Sequence, residues 1–375
     1  MKYYIIAGES SGDLHGSNLM KELKKVDDNV DFRCWGGDLM KAQGCTLVKH
    51  YKDLAFMGFL EVLLNIKTIL KNIKFCKQDI LDYNPDVVIF IDYPGFNLRI
   101  AEFVHKQNIK VFYYISPQIW AWKQSRIKKI KRYVDRMFVI LPFEKKFYEK
   151  YNYHVDFVGH PLLDAINSEN SDVDKNIDFI KENNLECKPI IALLPGSRKQ
   201  EITKILTIMT DVVEHYNDYQ FVIAGVPTFS EDFYKSFSKN DNVKIVFNKT
   251  YELLQNSYAA LITSGTATLE AALLDVPEVV CYKTSFISYF IAKKFIGHRI
   301  RFISIANLVM DREVIKELIQ KDLTVKNIIF HFDKILNETE KRKQMFSDFK
   351  QLKEKLGGSG ASKKTAELMY GYLKG

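Results

Sequence analysis

In "VVIFIDYPGFN" (87–97) an apolar run ends on Asp92 and passes into a Pro-Gly turn, Phe96 and Asn97. A carboxylate at the carboxyl end of a buried strand, in low-dielectric surroundings, can act as a general base. A turn carboxylate held by backbone donors looks the same in sequence, so both roles stay open. "LLPGSRKQE" (193–201) carries a second kind of chemistry. Ser197 and Gln200 fit a Ser-x-x-Gln capping box that would open a helix. The free N–H groups of that helix start, with Gly196, Ser197 and the guanidinium fork of Arg198, suit a diphosphate. An ordinary capped helix with a surface arginine is the alternative. "ITSGTATLEAA" (262–272) repeats the arrangement with Ser264, Gly265 and Thr266. Gly265 would let backbone approach a ligand, and Glu270, one helical turn further on, could accept from ribose hydroxyls. Two such turns in one half of the chain point to that half as the nucleotide holder.

A third polar turn, "IIAGESSGDLHG" (5–16), spaces Gly8, Gly12 and Gly16 four apart. It matches neither G-x-G-x-x-G nor the Walker loop, which argues against a dinucleotide cofactor and an ATPase. It reads either as a flexible turn with Ser11 or Asp13 capping the next helix, or as a polar ligand shelf built from Glu9, Ser10 and Ser11.

Two further stretches could meet an anionic or apolar surface. "YISPQIWAWKQSRIKKIKR" (114–132) joins two tryptophans to six basic residues within 123–132. No nucleic-acid motif accompanies it, so a solvated basic helix, an anionic sugar or a lipid headgroup is expected there instead. "FLEVLLNIKTILKNIKF" (59–75) has helically spaced apolar residues at 59, 62, 63, 66, 70 and 73, flanked by Lys67, Lys71 and Lys74. It fits a core-facing helix or one that dips into a bilayer surface. No metal site is expected: the eight histidines lack ligand spacing, and Asp172 and Asp174 sit in a polar linker. A serine-hydrolase elbow is also missing.

The elements that must position these residues alternate along the chain. Strand-like runs are expected at 2–8, 31–37, 86–92, 110–116, 136–141 and 156–159 in the first half. In the second they fall at 190–196, 220–225, 242–248, 260–265, 278–283 and 301–307, with helix from Asn307 to the end. Near-continuous apolar strands separated by helical patterns imply an α/β protein with open parallel sheets. The polar stretch 167–188 is the expected boundary between two doubly wound domains facing a central cleft, where ligands bind beyond the carboxyl ends of the strands. The divisions are 1–166, 167–340 and a helical terminus 341–375 that packs across domains or onto a partner.

Composition narrows the partners. The 375 residues carry a net charge of +8 and 47% hydrophobic residues, an ordinary globular balance with a preference for anionic partners. Five scattered cysteines without a CxxC pair suggest a reducing compartment and no disulfide framework. The start lacks a secretory signal, and no apolar run approaches a membrane span, so a cytoplasmic protein is expected.

Taken in order, "GESSGDLHG", "MGFLEV", "IDYPGFN", "SPQIWAWK", "LPFE", "GHPLLD", "LLPGSRKQEI", "SGTATLEAAL" and "ANLVMDREVIKEL" resemble the lipid-A-disaccharide synthases, from Tyr3 to about Leu318. The resemblance implies a GT-B fold of two Rossmann-like domains and inverting glycosyl transfer. The implied donor is UDP-2,3-diacylglucosamine and the implied acceptor 2,3-diacylglucosamine 1-phosphate (lipid X). The products would be the β-1′,6-linked disaccharide 1-phosphate and UDP, with no cofactor. On the matching motifs Asp92 is the implied base and Arg198 a catalytic donor-site residue. Gly196, Ser197, Ser264, Gly265, Thr266, Glu270 and Asn307 join the UDP side, and Glu9, Ser10, Ser11 and Asn97 the acceptor side. Acylated substrates favour membrane contact through Phe59, Leu60, Leu63 and Ile66, hence peripheral association with the cytoplasmic face of the inner membrane; a homodimer stays open. Gly95 stands where some members carry a second carboxylate, and Ala306 and Asp311 replace a common proline and glycine. A UDP-sugar 2-epimerase and a non-catalytic basic module are the rival readings.

Overall fold

A computed structural model describes residues 1–54, 66–169, 179–238, 243–284 and 301–375. Their contacts form two units, Met1–Ala165 with Leu356–Gly375, and Ile166–Lys355.

The first unit is a seven-stranded parallel sheet in the order β3-β2-β1-β4-β5-β6-β7. The strands are β1 (Lys2–Ala7), β2 (Asp31–Gly36), β3 (Thr46–His50), β4 (Val87–Ile91), β5 (Lys110–Tyr114), β6 (Arg136–Val139) and β7 (Asp156–Phe157). Every residue of β4 is buried, as expected for a central strand covered by helices on both faces. Successive side chains feed opposite cores: Tyr4, Ile6, Val88 and Phe90 enter one, and Tyr3, Ile5, Val87 and Ile89 the other.

The second unit is a six-stranded parallel sheet in the order β10-β9-β8-β11-β12-β13. Its strands are β8 (Ile190–Leu194), β9 (Gln220–Gly225), β10 (Lys244–Phe247), β11 (Ser257–Thr263), β12 (Glu278–Tyr282) and β13 (Lys316–Ile319). In each sheet the strand order reverses once, between β1 and β4 and between β8 and β11. The chain leaves those four strands through Gly8–Ser11, Asp92, Gly196–Arg198 and Ser264–Thr266. The four polar turns of the sequence therefore all lie at topological switch points, where an open sheet leaves a crevice.

Several elements depart from the sequence expectations. Strand β3 was not foreseen, because "TLVKH" is short and half exposed. Residues expected as a strand at 301–307 instead start a helix, Ile305–Met310, whose N-cap Ser304 accepts from Asn307 N. The chain is not helical from Asn307 onward either, since β13 follows. The Ser197–Gln200 capping box does not form: Arg198 is the N-cap of helix Lys199–Thr210 and no side chain caps it. Cys34 and Cys45 form a disulfide, against the expectation of none. Scattered spacing hid this pair, which comes together because β2 and β3 are neighbours in the sheet.

The closing helices separate at Leu356. Helix Glu340–Lys355 belongs to the second unit, where Arg312 makes a two-pronged ion pair with buried Asp348 at 2.7 and 3.0 Å. Helix Ala361–Lys374 packs in the first unit beside helix Ser10–Val26. Its start is held by Asp164, which accepts from Gly360 N at 2.5 Å and Ser362 N at 2.8 Å.

One core position is costly. Glu278, the first residue of β12, is 0% exposed, and neither carboxyl oxygen has a hydrogen-bond partner among the described residues. Burial pushes its pKa well above the ordinary 4.5, which favours the protonated form in the folded chain. Folding then takes up a proton above pH 4.5, and stability falls as pH rises past that value. Glu278→Met is expected to stabilise the fold by about 1–3 kcal/mol near neutral pH, and by less near pH 4. Denaturant titrations at the two pH values check this; an equal or negative change at both would refute it.

Candidate active site

In the first unit the site grows out of the end of β4. Asp92 and Tyr93 are both left-handed, with φ of 43° and 47°, and Pro94 then opens helix Pro94–Lys106. Two consecutive non-glycine residues in that region are strained and need support from outside. Asp92 N donates to Tyr114 O at 3.2 Å. The Asp92 carbonyl accepts from Asn97 Nδ2 at 2.7 Å and from the Tyr113 hydroxyl at 2.5 Å. The Tyr93 ring lies against Gly8, where a β-carbon would run into it, and stacks on Phe96 at 5.6 Å.

The Asp92 side chain reaches solvent from this buttressed turn. Desolvation by the surrounding protein, and then the Glu9 carboxylate, push its pKa up to about 6; the Tyr93 N–H and Arg126 pull the other way. Glu144 is a second acid within electrostatic reach. It is 1% exposed, accepts from Leu141 N at 3.0 Å and Ile140 N at 3.3 Å, and is pushed up to about 8, chiefly by burial. A protonated Glu144 at neutral pH places no full second charge beside Asp92, whose own carboxylate is then free to act as a base.

The other first-unit expectations divide. Glu9 is the N-cap of helix Ser10–Val26, and Glu9, Ser10 and Ser11 are all exposed. Asn97 does not join them: it is 0% exposed, and its amide serves the Asp92 carbonyl. The three glycines of the opening motif permit close packing instead of cradling phosphate. A β-carbon at Gly12 would sit 3.0 Å from Ala7 Cβ, and one at Gly16 2.7 Å from Met40 Sδ. Asp13 is buried and caps helix Asp38–Ala42, far along the chain.

Of the apolar stretch 59–75, Phe59, Leu60 and Leu63 lie outside the described residues, as do Asp172 and Asp174. Ile66 is 50% exposed and Leu70 55% exposed at the start of helix Ile66–Tyr83, with Lys67, Lys71 and Lys74 exposed beside them. In the basic segment, Ile127, Ile130 and Tyr133 are buried while Lys128, Lys129, Lys131 and Arg132 face outward. That is an amphipathic surface helix with its basic side solvated.

In the second unit the turns after β8 and β11 line one cavity of about 440 Å³. Gly196, Ser197 and Arg198 come from the first turn and Ser264, Gly265 and Thr266 from the second. Gly196 has a φ of 98°, a left-handed conformation that other residues rarely adopt. Arg198 Nη1 pairs with Glu201 Oε1 at 3.3 Å, and both line the cavity beside the start of helix Lys199–Thr210. Backbone N–H groups at a helix start, a guanidinium and three hydroxyls form a set of donors suited to a diphosphate.

Two expected UDP-side residues lie elsewhere. Glu270 is half-buried, is not among the cavity residues, and is pushed by burial up to about 7. Asn307 is 0% exposed and fully engaged. It donates to Ile315 O and Glu317 Oε1, both at 2.8 Å, and accepts from Val314 N and Ile315 N at 2.7 and 3.0 Å. With no capacity left for a ligand, it joins helix Ile305–Met310 to the segment leading into β13. Asp311 ends that helix in a left-handed conformation with φ of 55°. Glu201, Ala224, Val226 and Thr250 also line the cavity and were missed. The signal was available: Glu201 ends the quoted motif, Ala224 and Val226 flank the last residue of β9, and Thr250 follows β10.

Among the described residues no cluster of three or more metal-ligating side chains occurs, and no helix is long and apolar enough to cross a membrane.

A family model described as lipid-A-disaccharide synthetase matches residues 3–368. The lipid-A-disaccharide synthase of Coxiella burnetii is 37% identical over 374 residues, covering 98% of each chain. That of Syntrophus aciditrophicus is 37% identical, covering 99% of this chain and 97% of its own. Among solved structures, the UDP-GlcNAc 2-epimerase of Neisseria meningitidis bound to UDP-GlcNAc aligns with a TM-score of 0.65 at 14% identity, over 99% of this chain and 100% of that one. A glycosyltransferase from Rickettsia africae aligns with a TM-score of 0.63 at 11% identity, over 100% and 98%. Likeness at such low identity speaks for the fold, which is GT-B.

Proposed function

The chain belongs to the lipid-A-disaccharide synthase family, glycosyltransferases of lipid A disaccharide synthesis, and from that premise we propose a mechanism and substrates. The donor is UDP-2,3-diacylglucosamine, the acceptor 2,3-diacylglucosamine 1-phosphate, and the transfer inverts the anomeric centre. The acceptor 6-hydroxyl attacks the donor's anomeric carbon in line. Asp92 takes the hydroxyl proton as the new C–O bond forms. The bond to UDP breaks on the opposite face, and the pair of electrons leaves with the β-phosphate oxygen. Arg198, Ser197 and the start of helix Lys199–Thr210 stabilise the charge that develops there, while Ser264, Gly265 and Thr266 complete the nucleotide site. Glu9, Ser10 and Ser11 orient the acceptor sugar.

The observation that carries this reading is Asp92 itself, solvent-reaching on a strained turn with a pKa raised to about 6. A base must be ionised to work, so kcat/KM is expected to rise about tenfold per pH unit below 6 and level off above 7. A flat profile between pH 5 and 7 would contradict the assignment.

The exposed pair Ile66 and Leu70, with three lysines alongside, supports peripheral contact with the cytoplasmic face of the inner membrane. The deciding experiment is UDP release with both acylated sugars, each omitted in turn. Release only with both present supports the transferase. Turnover of the UDP-sugar without acceptor supports a 2-epimerase, and salt-sensitive polyanion binding with no UDP release supports a basic module.

A further inference from the structure

We infer that Tyr113 and Asn97 are positioning residues for Asp92: together they clamp its backbone carbonyl and fix the direction in which its carboxylate points. The inference rests on the proposal that Asp92 is the base. Asp92 and Tyr93 adopt left-handed conformations that L-residues avoid, so the turn would relax if nothing held it. Three groups hold it. Tyr113 donates its hydroxyl to Asp92 O at 2.5 Å from the neighbouring strand, and Asn97 Nδ2 donates to the same oxygen at 2.7 Å from the helix that follows. Tyr114 O takes the Asp92 N–H at 3.2 Å.

Both clamp residues are 0% exposed, so neither can touch a substrate. The Tyr113 hydroxyl and Asn97 Nδ2 share one acceptor, the carbonyl of the residue whose side chain faces solvent, and Nδ2 also reaches Ile91 O at 3.4 Å. A rotation about the Asp92 backbone moves its carboxylate directly, since only one carbon lies between them. Shifts of this size weigh heavily in proton transfer, where about 1 Å of misplacement costs up to about 100-fold. Phenylalanine at 113 would pack equally well, with the Phe90 ring at 5.8 Å unaffected, so a hydroxyl at that position has a polar task.

Tyr113→Phe and Asn97→Ala test this, each made alone and in an Asp92→Asn background. Turnover, UDP binding by calorimetry and thermal melting are read for every variant. The expected result is a loss in kcat of about tenfold or more for each single variant, with UDP binding unchanged. In the Asp92→Asn background neither change should lower kcat further, because a clamp has nothing left to position. Equal losses with and without Asp92 would mean a general structural role and overturn the inference. So would normal kcat in Tyr113→Phe while Asp92→Asn is impaired, and that outcome would leave the base proposal standing. Near-normal turnover of Asp92→Asn alone would remove the base proposal and the clamp with it. Tyr113→Phe keeps the ring and so guards against a misfolded Asn97→Ala.

Discussion

Asp92→Asn is expected to lower turnover about 10²–10⁴-fold while leaving UDP binding within about twofold of the parent protein. The amide keeps the size of the carboxylate and leaves the clamp on the carbonyl in place. What disappears is the acceptor for the sugar hydroxyl's proton. Glu144 cannot substitute, since it is buried, holds its proton near neutral pH and accepts from two backbone N–H groups, and Gly95 brings no side chain. The cavity proposed for the nucleotide is built from other strands, so binding of UDP reports on it independently. Stopped assays for UDP release, with calorimetric titration of UDP, measure both quantities. The acid limb near pH 6 should vanish from whatever activity remains. Turnover within about threefold of the parent would rule Asp92 out as the base.

Asp13→Ala is expected to cost about 3–5 kcal/mol of stability. The Asp13 carboxylate is 3% exposed and accepts from three backbone donors, Gly37 N at 2.7 Å, Met40 N at 3.0 Å and Leu39 N at 3.1 Å. Those donors belong to the start of helix Asp38–Ala42, and the Gly37 and Met40 N–H groups among them would lose their partner in a buried place. Replacement by alanine strands all three at once. An amide in the same place keeps one acceptor oxygen, so Asp13→Asn should lose roughly half as much. The damage reaches the site: Met40 packs where Gly16 leaves room, and helix Ser10–Val26 carries Glu9 at its head. Urea melts of the three proteins decide the matter. A midpoint for Asp13→Ala equal to the parent's would show that the cap is dispensable.

The turns of the candidate site were legible because polar residues at the end of an apolar strand leave a local mark. Asp92 ends an apolar run, and Ser197–Arg198 and Ser264–Thr266 follow two others; in a doubly wound sheet such turns open toward ligands. What misled was residue type taken without burial. Asn97 and Asn307 fall on family motifs, yet both are 0% exposed and bond to backbone. An amide that braces a turn and one that faces a ligand are the same letter in the sequence. Glu270 likewise reads as a ribose acceptor but lies outside the lining of the cavity.

The amino-acid order by itself determined the alternation of strand and helix, the parallel sheets, the family and the four polar turns. These follow from apolar periodicity and from residues close together along the chain. The tertiary structure alone decided which polar groups meet across long separations. Gly8 makes room for Tyr93, Asp13 reaches a helix start 24–27 residues on, and Tyr113 reaches back across the sheet to Asp92. It also put the sulfurs of Cys34 and Cys45 together and left Glu278 without a partner among the described residues. Such pairings depend on strand order and register, which set contacts between segments that carry no local trace of one another. The glycines of "GESSGDLHG" thus serve packing, and the acid among them holds a neighbouring helix in place.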